Sequence, residues 1–219
     1  MKKKMFWLIP AIMLVFVLAS CDNDGGSSGI GETLNLSGDV YTVGNNYNFV
    51  KYDGEDLTFT SNVGGTGSIT DGKMNFTVGA PNAALLETID ALFEDFEDEE
   101  EGLGLVYSNL TFSPTSAKGT YLYFYINLSK IYMNDTGTSG SDEEVSYIYV
   151  DRDCSFSATG GTFDFLDLMG MEVTASNINL NFKAGWNTVN QKVNVTETSG
   201  SVSIKTGDSS SCKWTLGDY

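Results

Sequence analysis

From Ile69 to Val78 the chain reads Ile-Thr-Asp-Gly-Lys-Met-Asn-Phe-Thr-Val, and this phrase constrains the fold more than any other. Apolar and polar side chains alternate on both sides of Asp71-Gly72. A period of two sends alternate side chains to opposite faces of a strand. Asp-Gly between two such runs predicts a hairpin closed by a type I′ turn. The pattern recurs along the chain. Leu34, Leu36 and Val40 suggest an opening strand pair, and further strands are predicted over 57–60, 105–112, 145–150, 154–158, 173–182, 188–195, 202–205 and 212–216. Tyr121 to Ile126 is apolar or aromatic on both faces, which predicts a strand that is either central or covered on one face by a helix. Short strands with turn signals roughly every 8–12 residues indicate a mainly β chain, an antiparallel β-sandwich in preference to a barrel. Residues 114–119 are a candidate division between two small modules; the alternative is one large body. Asn134 to Glu144 is polar and reads as a mobile loop.

One segment changes period. Leu85, Ile89, Leu92 and Phe96 fall on one stripe, with Leu86 and Phe93 beside it. Spacings of three and four predict an amphipathic helix over 82–99. Asn82 would cap it and Gly102 and Gly104 would end it. Its last turns are crowded with acid from Glu94 to Glu101, which opposes the helix dipole and predicts fraying.

The N-terminus has a different character. Lys2, Lys3 and Lys4 precede Met5–Leu18, a run that is apolar apart from Pro10. A basic leader followed by a short apolar stretch is the layout of a signal peptide. The run ends Leu18-Ala19-Ser20-Cys21, which resembles the lipobox of bacterial lipoproteins. That resemblance implies cleavage before Cys21 and diacylation of its thiol. Two or three acyl chains would anchor the protein stably to a membrane. Residues 21–30 contain Asp22-Asn23-Asp24-Gly25-Gly26-Ser27-Ser28-Gly29 and read as a flexible tether, leaving 31–219 as the body. Asp22 is compatible with inner-membrane retention in enteric bacteria. In Bacteroidetes and spirochaetes, acid near the lipidated Cys is compatible with the outer membrane or cell surface, which is the preferred expectation. The phrases Ser37-Gly38-Asp39-Val40-Tyr41, Asp71-Gly72-Lys73 and Gly185-Trp186-Asn187-Thr188-Val189 resemble ones in uncharacterised lipoproteins of spirochaetes and Bacteroidetes. The middle phrase is also similar to turns in transthyretin-like sandwiches. No activity follows from either resemblance.

Charge narrows the partners. The 219-residue chain has a net charge of −17, and removing the three leader lysines takes it to −20. Such a body repels nucleic acid and anionic lipid surfaces, so a nucleic-acid partner is not expected. With 41% hydrophobic and 19% charged residues, it can still bury a core.

Chemistry is sparsely signalled. Cys154 and Cys212 are either a disulfide, as suits an exported protein, or two buried thiols. The chain has no His, so neither an ordinary zinc or copper site nor a Ser–His or Cys–His pair is expected, and no cofactor is implied. The acidic run 94–101 reads as a solvated face rather than a Ca²⁺ site. The loop starting at Asp135 fails as an EF-hand, because its twelfth place holds Ser146. Asp151 and Asp153 alternate around Arg152 and read as solvent-facing, with a cross-strand lysine as the expected partner and a glycoside-hydrolase pair as the competing reading. Trp186 and Trp214 either stack on a sugar ring or plug the end of the sandwich. Tyr121, Tyr123 and Tyr125 would meet Tyr147 and Tyr149 in a cross-strand aromatic ladder. The expectation is a non-enzymatic envelope lipoprotein that binds, adheres or builds, with a glycan or protein ligand. The alternatives are a carrier of an apolar or glycan ligand, lidded by residues 85–96, and a glycan-acting hydrolase.

Overall fold

A computed structural model describes residues 29–44, 48–96, 105–135, 139–163 and 172–217. The leader, Cys21 and most of the tether lie outside these residues. Among the described residues, no helix is long and apolar enough to cross a membrane.

The chain is mainly β. Its first strands are β1 (Leu34–Val43), β2 (Phe49–Lys51), β3 (Leu57–Thr60), β4 (Thr66–Thr70) and β5 (Lys73–Val78). The β4–β5 hairpin forms as its sequence requires: Asp71 and Gly72 have φ of 50° and 69°, both positive as a type I′ turn demands. Along β5, Met74, Phe76 and Val78 are buried while Lys73, Asn75 and Thr77 are exposed. Next come β6 (Glu87–Thr88), β7 (Leu105–Ser113), β8 (Lys118–Tyr121), β9 (Leu128–Asp135), β10 (Ser139–Val150) and β11 (Cys154–Phe163). The last strands are β12 (Glu172–Ala175), β13 (Ile178–Phe182), β14 (Gly185–Thr196), β15 (Ser199–Thr206) and β16 (Lys213–Leu216).

They form two sheets. The larger runs β12-β15-β14-β10-β9-β16-β1-β5-β4-β3, with β2 on β1, and β8 and β6 reached from β10; the smaller is β13-β11-β7. Strand β1 divides its length between different partners. Its first half pairs with β5 from Leu34 to Asp39, and its second half pairs with β16 at Val40 and Tyr41 and with β2. Residues 114–117 carry the chain from one sheet to the other. Ala117 and Tyr121 after that crossing share a core with Phe112 before it.

Strand β10 has a core on each face. Ile148 and Val150 join Val189, Val202 and Ile204 of the large sheet against Phe156, Leu180 and Phe182 of the small one. Phe156 stacks on both Phe93 and Phe112, with centroids 4.5 and 4.9 Å away, and those two rings touch each other at 5.8 Å. Val145, Tyr147 and Tyr149 point the other way, into a core with Leu34, Ile69, Met74, Phe76, Trp186 and Trp214. Full burial of side chains of this size contributes about 1.5–3 kcal/mol each.

Three expectations are corrected. The amphipathic helix over 82–99 does not form in its described part, which consists of 3₁₀ turns at Ala83–Leu85 and Ala91–Phe96 flanking β6. Asn82 caps as expected, accepting from Ala84 N–H at 2.9 Å. Leu86 is then extended (φ −91°, ψ 123°), and Glu87 and Thr88 pair with Gly119 and Lys118. Sheet pairing thus satisfies backbone groups that a helix would have paired internally. The apolar stripe is used in part: Ile89, Leu92 and Phe93 are buried in the first core, while Leu85 is 43% exposed.

The second correction concerns 134–144. Its described residues extend β9 and begin β10, because Ser139 to Val150 pairs without a break against β14. The third concerns 121–126. Strand β8 ends at Tyr121, and Tyr123 and Tyr125 are 44% and 72% exposed. Tyr121 stands opposite Ile148, on the face away from Tyr147 and Tyr149, so the tyrosine ladder does not form. Tyr147 stacks on Trp214 instead, and Tyr149 meets Trp186 edge-on.

Candidate functional site

The most site-like region is a gap in the large sheet. Along one edge of β10, the β9 ladder ends at Val145 opposite Lys130, and the β8 ladder begins at Ile148 opposite Tyr121. Ser146 and Tyr147 therefore have no partner strand on that side. The chain from Leu122 to Asn127 loops around the gap. Leu122 N–H donates to Tyr147 O at 3.0 Å, Asn62 Nδ2 donates to Tyr121 O, and Asn62 Oδ1 accepts from Tyr123 N–H.

A cavity of about 180 Å³ occupies this gap. Residues from both faces of β10 line it: Glu144 and Ser146 from one, Val145 and Tyr147 from the other. Trp214 and Phe124 close the aromatic side. Trp214 is nearly parallel to Tyr147 (centroids 6.2 Å, 11°) and edge-on to Phe124 (6.1 Å, 74°). A second cavity, of about 420 Å³, lies beyond the same pair, against Ser37, Asp39, Lys130, Asp208 and Lys213. Tyr147 and Trp214 thus form a wall shared by two cavities.

Electrostatics divide β10 sharply at Asp142-Glu143-Glu144. Glu143 is buried but partnered: Asn190 Nδ2 donates to Oε1 at 2.7 Å, Ser211 Oγ donates to Oε2 at 3.5 Å, and Lys192 Nζ lies 3.8 Å from Oε2. Asp142 and Glu144 project to the opposite face. Their cross-strand neighbours are Met133 and Val193 for Asp142, and Ile131 and Gln191 for Glu144. Asp142 Oδ1 is buried with no hydrogen-bond partner. Burial pushes Asp142 up to about 7, against a hydrogen bond from the Glu143 backbone that lowers it and with the Glu143 charge adding to the rise; burial pushes Glu144 up to about 8, with the Asp142 charge adding to it. The nearest lysine in register on that face, Lys213, is two strands away, with its ammonium over the Tyr41 and Phe49 rings at 4.6 and 5.0 Å.

The sequence-predicted residues fare unevenly. Cys21 lies outside the described residues. Cys154 and Cys212 do not form a disulfide with each other: they are buried in different cores. Burial pushes the Cys212 thiol up to about 11, so it is not a reactive thiolate at neutral pH. Trp186 cannot stack on a sugar, because it is completely buried with its Nε1 donating to Gly79 O at 3.2 Å. It belongs to the second core, and the preceding Gly185 (φ 101°) brings the backbone against Gly31. Trp214 is 5% exposed but lines both cavities.

Asp151 and Asp153 sit at the surface. Arg152 holds the first carboxylate low at 2.7 Å, and Lys183 holds the second low at 2.6 Å, matching the expected lysine pairing. A glycosidase pair needs one carboxyl kept protonated, and here both are pulled the other way. The residues that sequence reading missed are Asp142 and Glu144, hidden in a stretch read as loop. Their signal is a run of three acids adjoining the strand pattern of 145–150. Among the described residues, no group of three or more His, Cys, Asp or Glu could hold a metal ion. No protein family, curated protein or solved structure matches the chain.

Proposed function

We propose that this chain is a lipid-anchored, non-enzymatic binding module of a bacterial cell envelope. A lipid on Cys21 and the tether 21–30 hold a β-sandwich body off the membrane, at the outer membrane or cell surface. The observation that carries the anchor is the order basic leader, apolar run, Leu18-Ala19-Ser20-Cys21. The binding role is supported by the two cavities that share the Tyr147–Trp214 wall. Metabolic labelling with an alkyne fatty acid tests the anchor. Label is expected on the wild type and absent from Cys21→Ala, with the body cut by protease added to intact cells. An unlabelled wild type would overturn the anchor, and a labelled but protected body would move it to the periplasmic side.

A carrier of a glycan is the second reading, favoured by the polar lining of the larger cavity around Ser37, Asp39, Lys130 and Lys213. Native mass spectrometry of freshly purified protein tests it. A co-purifying sugar supports the carrier, and consistently empty protein counts against it.

A further inference from the structure

We infer that the open edge of β1, from Asn35 to Asp39 beside the larger cavity, takes up an extended peptide as an added strand. The inference rests on the binding-module reading and gives that reading a ligand class, a neutral or basic peptide.

Strand β1 uses only one of its edges over this stretch. Leu34, Leu36 and Gly38 stand opposite Val78, Phe76 and Met74 of β5. Val40 N–H donates to Gly72 O at 2.9 Å, and Val40 O accepts from Tyr52 N–H at 2.9 Å. The even-numbered residues therefore turn their main-chain groups toward β5 and β2. Main-chain groups alternate between the two edges of a strand, so Asn35 and Ser37 turn theirs the other way. On that side β16 begins at Lys213 and meets β1 at Val40 and Tyr41. No described residue hydrogen-bonds the main-chain N–H or C=O of Asn35 or Ser37.

The cavity of about 420 Å³ lies against this edge. Consecutive residues from Asn35 to Asp39 line it, and consecutive side chains point to opposite faces, so the cavity meets the strand edge-on. The stretch is about 14 Å long, which suits an extended segment of about four or five residues. Free N–H and C=O groups at every second residue are the complement of a peptide strand, which offers the same groups at the same spacing. Exposed edges are commonly blunted with Lys or Pro, and Asn35-Leu36-Ser37-Gly38-Asp39 contains neither.

The surroundings narrow the peptide. Gly38 leaves room for Trp214 at the edge, since a Cβ there would lie 2.9 Å from Trp214 Cδ1. Tyr147 is stacked on Trp214, so inward side chains of an added strand would meet these rings and outward ones would meet water. The charged groups of the lining are engaged within the chain: Lys130 with Asp208, Asp39 with Lys51, and Lys213 over Tyr41 and Phe49. A net charge of −17, or −20 without the three leader lysines, repels an acidic segment.

The test uses the full chain, isotope-labelled, in a zwitterionic detergent, with the blocked pentapeptide acetyl-Thr-Val-Lys-Val-Thr-amide as probe. Amide exchange at Ser37 should slow at least about tenfold at saturation, while Leu36 N–H, already paired with β5, should not change. Methylating the backbone nitrogens of both valines, or those of the lysine and both threonines, should abolish binding in one of the two cases only, because alternate N–H groups face the edge. Ser37→Pro removes an N–H that the fold does not use, at an edge position where proline is tolerated. It should abolish binding with the melting temperature nearly unchanged, and Ser37→Ala should bind as the wild type does. If Ser37→Pro fails to fold, the methylated peptides and the Ser37 exchange rate still decide. No binding at about 5 mM peptide, unchanged Ser37 exchange with peptide bound, equal binding of both methylated forms, or loss of binding in Ser37→Ala would each overturn the inference. Maltotriose binding the cavity where the peptide does not would overturn it too and leave the binding-module reading standing. Fatty-acid label on Cys21 reads out the anchor separately.

Discussion

Glu143 and Asp142 are adjacent on β10 and equally buried, each 9% exposed, yet they live in different chemistry. Glu143 faces Asn190, Ser211 and Lys192, and its carboxylate is satisfied there. Asp142 faces Met133 and Val193, and one of its oxygens has no partner. Glu144, half-buried, lies on the Asp142 face one pleat along, beside Ile131 and Gln191. Burial alone therefore does not set the character of an acid. The strand's alternation assigns each residue to a face, and the lysines of β9, β14 and β15 nearest this run (Lys130, Lys192 and Lys205) all fall in register with the Glu143 face. The other face receives acid without base.

The largest effect expected from this contrast is on stability against pH. Asp142 and Glu144 have folded values near 7 and 8, above their ordinary values of 3.8 and 4.5. Between those limits the native state holds more protons than the unfolded state. Stability is therefore fully present at about pH 4 and falls as pH rises, by about 1.4 kcal/mol per pH unit for each group. Calorimetry at pH 5, 7 and 9 should show a falling melting temperature, and the double variant Asp142→Asn/Glu144→Gln should flatten that profile. A wild-type profile that rises with pH would break the contrast.

Single substitutions sharpen it. Asp142→Val removes an unpartnered buried acid among apolar neighbours and should stabilise the protein by about 1–3 kcal/mol at pH 8, with a smaller gain at pH 5. Glu143→Gln should act in the opposite direction. It takes the charge from an acceptor of partnered hydrogen bonds and should cost about 1–2 kcal/mol in urea unfolding. The smallest effect belongs to an exposed pair. Lys51 and Asp39 are 3.2 Å apart with side chains 53% and 42% exposed, so Lys51→Ala should change stability by less than about 0.5 kcal/mol, and less still in high salt.

The same strand shows what was legible in the sequence. The Asp71-Gly72 hairpin was, because turn chemistry and alternation are local and agree. Trp214 was identifiable as a candidate, but its partners were not, since Tyr147 and Phe124 are brought to it by pairing of β16, β9 and β10 and by the connection between β8 and β9, all distant in sequence. Residues 139–144 read as loop because polar side chains dominate both faces; pairing with β14 and β9 overrides that pattern. Around 85–93 the periodicity correctly marked Ile89, Leu92 and Phe93 for burial, although the backbone meets that demand with a short strand and 3₁₀ turns. Apolar spacing identifies what must be covered, while the backbone hydrogen-bond partners that decide the conformation come from β8, thirty residues on.

The most direct measurement is a carboxyl-carbon NMR titration of Asp142 and Glu144, assigned by comparing the wild type with Asp142→Asn and Glu144→Gln. Midpoints near 7 and 8, well above the ordinary carboxylate range, are the predicted result. Midpoints near 4 for both would mean that the acids find a countercharge or water on that face, and would contradict the two-faced account of β10.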